Sequence, residues 1–163
     1  SIRKFKSQAV EQEKIDLLMK TVLMSPSSKN TRPWHFIVVD DKEMLLQLSE
    51  SRTHGSQLIA EAAAAVIVIA DSSKTDVWIE DASIASAYLQ LQAENIGLGS
   101  CWVQVRGRMK NENVTTEDEI RHLLNIPEEY KVLNMIALGY KDEEKNPQNE
   151  EKLLYERVHK GKF

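Results

Sequence analysis

The sequence predicts a layered protein in which helices cover both faces of a central sheet. Three observations point to it. Segments with helical and with strand periodicity alternate along the chain. The run Ala65-Val66-Ile67-Val68-Ile69-Ala70 has no polar alternation, as expected of a strand buried on both faces. The longest helical stretch, residues 77–95, is rich in small residues and suited to close packing in the interior. Periodicity alone does not decide whether the strands are parallel.

The elements follow in order. Residues 10–24 read as a helix, because Ile15, Leu18, Met19 and Val22 fall on one face. Glu11 and Glu13 stand in its first turn, where the helix dipole favours negative charge. Ser25 to Ser28 ends it. Residues 35–39 are β-branched and aromatic, a strand pattern. Residues 42–51 form a short helix, and 52–57 a loop around Gly55. After the strand 65–70 comes the long helix, with Ala82, Ser83, Ala85, Ser86 and Ala87 as its small residues and Ile84, Tyr88 and Leu91 as a larger stripe. Gly97 supplies a C-terminal residue free to take positive φ. A strand is expected at 101–105. Thr116 with Glu119 reads as a capping box opening a helix that runs through Leu124. Residues 132–138 are the last strand, and the tail 141–163 is charged and without a period.

The chain has 163 residues, enough for one domain, 1–163, with a sizeable core. Its net charge of −4 gives no electrostatic reason to expect nucleic acid or an anionic membrane as partner. The longest apolar run, 62–70, is too short to span a bilayer. The single cysteine, Cys101, reads as a small buried strand residue, and a nucleophile is the lesser alternative. His35, His54, His122 and His159 are scattered, so no metal site is expected. With no opening signal segment, a cytoplasmic protein is expected. The opening Ser1 points to a natural chain that begins earlier.

Three segments can carry chemistry. Residues 26–34, Pro-Ser-Ser-Lys-Asn-Thr-Arg-Pro-Trp, offer short polar side chains suited to a polar ring. Pro33 is expected to hold Arg32 extended, and Trp34 to anchor the exit. The competing reading is a plain helix-to-strand turn, in which Ser, Asn and Pro are common. Residues 97–107, Gly-Leu-Gly-Ser-Cys-Trp-Val-Gln-Val-Arg-Gly, follow a helix and lead into a strand, the reverse of a dinucleotide fingerprint. Glycines at both ends allow close approach of a flat ligand. A helix stop and core strand explain Gly97 and Cys101 equally well, but Gln104 and Arg106 less well. Cations near both ends, Arg3 and Lys4 with Lys145 and Lys152, can converge on a phosphate or simply form a solvated surface.

Taken together, these segments resemble the nitroreductase family. Ser1-Ile2-Arg3-Lys4-Phe5 is similar to the end of its opening Arg-Arg-Ser-x-Arg-x-Phe/Tyr motif, and residues 26–34 to its Pro-Ser-x-x-Asn-x-x-Pro-Trp signature. Residues 97–102 resemble its Gly-Leu-Gly-Ser-Cys-Trp segment, 138–145 its late Gly-Tyr and acidic-basic stretch, and Arg157-Val158-His159 the end of its short members. Five motifs in order, from residue 1 to 159, carry the resemblance.

The resemblance implies an α+β fold, an α/β/α sandwich with a mostly antiparallel sheet. It also implies a homodimer in which the tail 141–163 crosses to the partner. It implies an FMN-dependent oxidoreductase that takes electrons from NADH or NADPH and passes them to a small acceptor such as a nitroaromatic, quinone or flavin, by a ping-pong cycle. The cofactor carries the chemistry, so no catalytic side chain is expected. By position, Ser1 and Arg3 belong near the phosphate and ribityl chain. Pro26, Ser27, Ser28 and Asn30 belong to the partner's flavin. Gln104, Val105, Arg106 and Gly107 belong along the isoalloxazine, and Lys145 or Lys152 at the phosphate. The opening arginine pair is absent here, and Arg32 stands where Gln is frequent. The alternatives are a specialised member, such as a reductive dehalogenase or an enzyme that consumes its own flavin, and a flavin-binding member without turnover. The first usually carries a lid insertion, for which the stretch 111–116 leaves little room.

Overall fold

In the computed structural model, which describes residues 1–163, the chain forms α1 (Gln12–Leu23), β1 (Trp34–Val39), α2 (Lys42–Ser49), β2 (Ala64–Asp71), α3 (Trp78–Asn95), β3 (Gly99–Gln104), α4 (Thr116–Leu124) and β4 (Tyr130–Gly139). The strands make one sheet in the order β1-β2-β4-β3, and every pairing is antiparallel. The α+β class implied by the resemblance is what the chain adopts.

The sheet divides the core. Ala65, Ile67 and Ile69 of β2 face one layer with Leu45, Leu48 and Ile120, which come from α2 and α4. Ala64, Val66, Val68 and Ala70 face the other, with Leu18 and Val22 of α1 and Ala82, Leu89 and Ala93 of α3. Two-sided cover is why β2 shows no polar alternation. Each fully buried Ile or Val contributes roughly 1.5–3 kcal/mol by leaving water.

Helix α3 lays its small face on the sheet: Ala82, Ala85 and Ser86 are fully buried. The larger stripe, Ile84, Tyr88 and Leu91, turns outward and is exposed, as are Leu17, Leu23 and Met24 of α1 and its C-terminal cap. Thr21, Tyr88 and Leu91 meet in one shallow depression where the two helices lie side by side.

Two sequence readings need correction. The cap of α4 is Thr115, not Thr116: the Thr115 hydroxyl accepts the Asp118 N–H at 3.0 Å. The Thr116 N–H is bound to the Arg108 carbonyl at 2.9 Å and its side chain is buried, so the preceding threonine is the one left free to cap. Arg32 is not extended but has φ +48°, in a segment where Lys29 and Asn30 also take positive φ. Its N–H and Nε are both tied back, to Ser27 Oγ and Asn30 Oδ1, each at 2.9 Å, and these bonds outweigh the preference that Pro33 imposes.

No helix is long and apolar enough to cross a membrane. The tail beyond Lys145 contains only short turns at 150–152 and 155–157, and all of it is exposed.

Candidate functional site

The N-terminal segment is fixed by the sheet's far end. The Ile2 N–H bonds the Ser100 carbonyl, Lys6 N–H bonds Tyr140, and Asp142 N–H bonds Lys4. Ile2 lies so close to Gly99 that a Cβ there would stand 2.9 Å from its side chain; Phe5 crosses Gly139 in the same way. The closeness that a glycine permits at residue 99 is therefore used by the chain's own Ile2, not left open for a ligand. Ser1 and Arg3 are held at this junction.

Glu143 joins the two ends of the chain. Its carboxylate accepts the Arg3 N–H and, at 2.7 Å, the Lys145 ammonium. The Lys145 bond first and the Arg3 N–H second pull its carboxyl well below the usual carboxylate range, to about 2. The Arg3 backbone and the Lys145 side chain are thus brought together, whereas Lys152 sits on the exposed tail with no ion pair. Ser1, Gln90 and Ser100 line an open cleft of about 1220 Å³ between this junction and α3, with Lys141 and Lys145 paired there to Glu94 and Glu143, and Asp142 and Glu144 beside them.

The second part of the site lies at the exit of the edge strand β3. Opposite it, β4 carries a bulge: Val68 faces Asn134 and Ile69 faces Val132, so Leu133 is the extra residue. The Leu133 carbonyl accepts both the Val105 N–H at 3.3 Å and the Arg106 N–H at 3.1 Å. Gln104 braces the same turn, accepting Trp102 Nε1 at 2.9 Å and donating to the Arg106 carbonyl at 2.8 Å. Val105 is fully buried and lends only rigidity. Gly107 differs: its φ is +71°, its N–H has no partner in the chain, and nothing lies within 4 Å of where a Cβ would stand.

The third part is the turn Pro26–Pro33. Besides the bonds to Arg32, the Ser28 N–H donates to Asp81 Oδ1 at 2.8 Å. Pro26 and Asn30 are exposed, and the Ser28 hydroxyl and the Asn30 amide NH₂ make no bond within the chain. Trp34 is buried at the start of β1, tilted against Phe36 with ring centres 5.4 Å apart, and its Nε1 has no partner.

Sequence reasoning missed three residues. Asp81 is 4% exposed in the first turn of α3 and anchors the Pro26–Pro33 turn across 53 positions. An acid in a helix's first turn is common enough to hide that role. Glu143 looked like one of several tail acids. Arg52, in the loop before β2, reaches the Gln104 carbonyl with Nη1 at 3.3 Å, a contact no local pattern announces. Cys101 is buried in β3, as a small strand residue would be.

Comparison with known proteins agrees with the fold and gives the family. The sequence model of the Nitroreductase family matches residues 1–140. The structure superposes on that of an FMN-dependent nitroreductase from Clostridium difficile R20291 with a TM-score of 0.98 and 51% identity, covering 100% of this chain and 95% of that one. A protein of Archaeoglobus fulgidus, provisionally named NADH dehydrogenase/NAD(P)H nitroreductase, is 36% identical over 168 residues, 100% of this chain and 93% of its own. An iodotyrosine deiodinase of Thermotoga neapolitana is 26% identical over 92% of this chain and 89% of its own.

Proposed function

The chain belongs to the nitroreductase family, and from that premise we propose that it is an FMN-dependent oxidoreductase. In this reading it takes electrons from NADH or NADPH and passes them to a small acceptor such as a nitroaromatic, quinone or flavin. One observation carries the reading: the Arg3 N–H and Lys145 meet at Glu143, beside the cleft that Ser1 lines, at one end of an edge strand whose other end leads to the open Gly107 N–H. From Gly99 to Gln104 the strand runs about 16 Å at roughly 3.3 Å per residue. An end where Lys145 can exchange its carboxylate partner for a phosphate, and an unobstructed end at Gly107, suit a cofactor with a phosphate at one side and a ring at the other.

Bound there, FMN supplies a two-electron carrier that alternates between a nicotinamide donor and the acceptor. The chain's own residues bind and orient. Lys145 and Arg3 offer positive charge to the phosphate, with the Ser1 hydroxyl and backbone beside them. For Lys145 this means exchanging its bond to Glu143. Gly107 donates its free N–H toward the ring's polar edge, and Gln104 and the Leu133 carbonyl keep that N–H in place. Pro26, Ser27, Ser28 and Asn30 serve the partner's flavin. The two groups of that turn unbonded within the chain, the Ser28 hydroxyl and the Asn30 amide, are available for it.

The homodimer belongs to the same proposal. The outward apolar stripe of α1 and α3 and the exposed tail residues Leu153, Leu154, Tyr155, Val158 and Phe163 need cover, and a tail crossing to a second copy supplies it. A second reading, reductive dehalogenation, is favoured by the deiodinase relative. Against it, residues 105–115 form a tight hairpin, with Met109 bridged to Thr115 and Lys110 bonded to Val114, rather than a lid.

The test is cofactor identity and kinetics. Denatured protein should release FMN, and double-reciprocal plots with NADH and a neutral nitroaromatic should be parallel. Release of no flavin rejects the cofactor, intersecting lines reject the ping-pong cycle, and turnover confined to halogenated phenols selects the second reading.

A further inference from the structure

The loop before β2 and the turn after β3 are stitched together. The Thr53 hydroxyl donates to the Met109 and Lys110 carbonyls at 3.0 and 2.9 Å, and the Thr53 N–H reaches Met109 at 3.2 Å. This seam brings the neighbouring Arg52 close to Arg108 and Lys110, which follow Gly107 in the chain. Lys110 is neutralised by Glu119 at 2.8 Å. Arg52 and Arg108 take part in none of the chain's ion pairs.

Arg52 is the informative one. It is half-buried and lies against Gly55, where a Cβ would stand 3.5 Å from its Nη1. Its single polar contact is the Gln104 carbonyl, which bears no charge. Burial first, and the nearby positive charge of Arg108 second, push its guanidinium below the ordinary value. A partly desolvated cation beside a like charge, with no carboxylate, is unfavourable as it stands and becomes favourable once an anion joins it. Arginine suits that task because its planar fork grips two oxygens of a phosphate or carboxylate at once.

We propose that Arg52 and Arg108 form an anion site beside Gly107 that holds a phosphate or carboxylate group of the reacting small molecule. This rests on the reading of Gly107 as the ring-binding end, and it gives that site a charge preference. The reactants favoured would be an acceptor bearing a carboxylate or a nicotinamide nucleotide bearing an extra phosphate.

Matched pairs of probes test it by calorimetric titration of the FMN-saturated protein at low and high salt. One pair is 4-nitrobenzoate and 4-nitrobenzyl alcohol; the other is 2′-AMP and adenosine. At least one anionic probe should bind about tenfold more tightly than its neutral twin, with the advantage shrinking in salt. R108Q, at an exposed position, and R52Q should abolish the preference, and R108K should keep part of it. Preference in the first pair assigns the site to the acceptor, and in the second to the nucleotide. Equal affinity within both pairs, or a preference that survives in R108Q, overturns the proposal. A protein that shows the preference but takes up no FMN refutes the proposed function and leaves the anion site standing. A flavin-loaded, NAD(P)H-oxidising protein without the preference does the reverse.

Discussion

The sheet and the tail obey opposite rules. In β2 and β4 nearly every side chain is buried within the chain itself, from Ala64 to Ala70 and from Val132 to Leu138. In the tail, Leu153, Leu154, Tyr155, Val158 and Phe163 are as apolar, yet each remains exposed. The sheet is complete in one copy of the chain. The tail carries apolar surface that a single copy does not cover, and so its stability should depend on concentration while the sheet's does not.

Removing the tail tests that contrast most severely. Truncation after Tyr140 also removes Lys141, bridged to Phe5, together with Glu143 and Lys145, so it should give insoluble or flavin-free protein. Truncation after Asn146 keeps that junction and deletes the apolar tail; it should give soluble protein that sediments as a monomer and binds flavin weakly. A yellow monomer from the first truncation would show the tail to be dispensable.

Single substitutions sharpen the same comparison. Ile67→Ala, at a fully buried position, should cost about 2–5 kcal/mol at every protein concentration. Leu154→Ala should lower the Tm only through the dimer, with a loss that grows on dilution. A concentration-independent loss at Leu154, or none, would count against a crossing tail.

Much of the fold was legible because it rests on self-contained patterns. Two-sided burial made β2 apolar throughout, and Ile15, Leu18 and Val22 marked the inner face of α1. The outward turn of Ile84, Tyr88 and Leu91 was not legible. Small residues such as Ala82 and Ala85 filled the narrow gap over the sheet, and size alone does not say which stripe faces in. In the candidate site, Ser1, Arg3 and Gly107 were reachable through motif resemblance. The selection of Lys145 over Lys152 at the N-terminal junction, the hold of Asp81 on Ser28 and the reach of Arg52 to Gln104 are long-range contacts with no local signature. Arg32 was misread because a rule about its neighbour Pro33 was outweighed by two bonds to Ser27 and Asn30.

Smaller effects follow at the turns. Asn30→Ala should weaken FMN binding by about 1–2 kcal/mol while the fold persists, as measured by flavin titration beside a melting curve. Unchanged affinity would return Asn30 to a turn role, through its bond to Arg32. Thr115→Ala should cost about 1 kcal/mol of stability by uncapping α4, read from a urea midpoint, and an unchanged midpoint would reject the corrected cap.

The smallest effect is a pH dependence. Glu143 has a folded pKa of about 2 against an ordinary 4.5, so it contributes stability that is full above about 4.5 and lost as pH falls toward 2. The difference in urea midpoint between the native chain and Glu143→Gln should therefore be constant near neutrality and vanish over that window. A difference that persists at pH 2 would place the role of Glu143 outside its charge.

The most direct test is the absorbance spectrum of the purified protein, after FMN titration if needed, before and after anaerobic addition of NADH or NADPH. The expected result is a yellow protein that bleaches on adding the nucleotide and regains its colour when a nitroaromatic or quinone follows. A colourless protein that takes up no FMN, or a yellow one that neither nucleotide reduces, would contradict the proposed function.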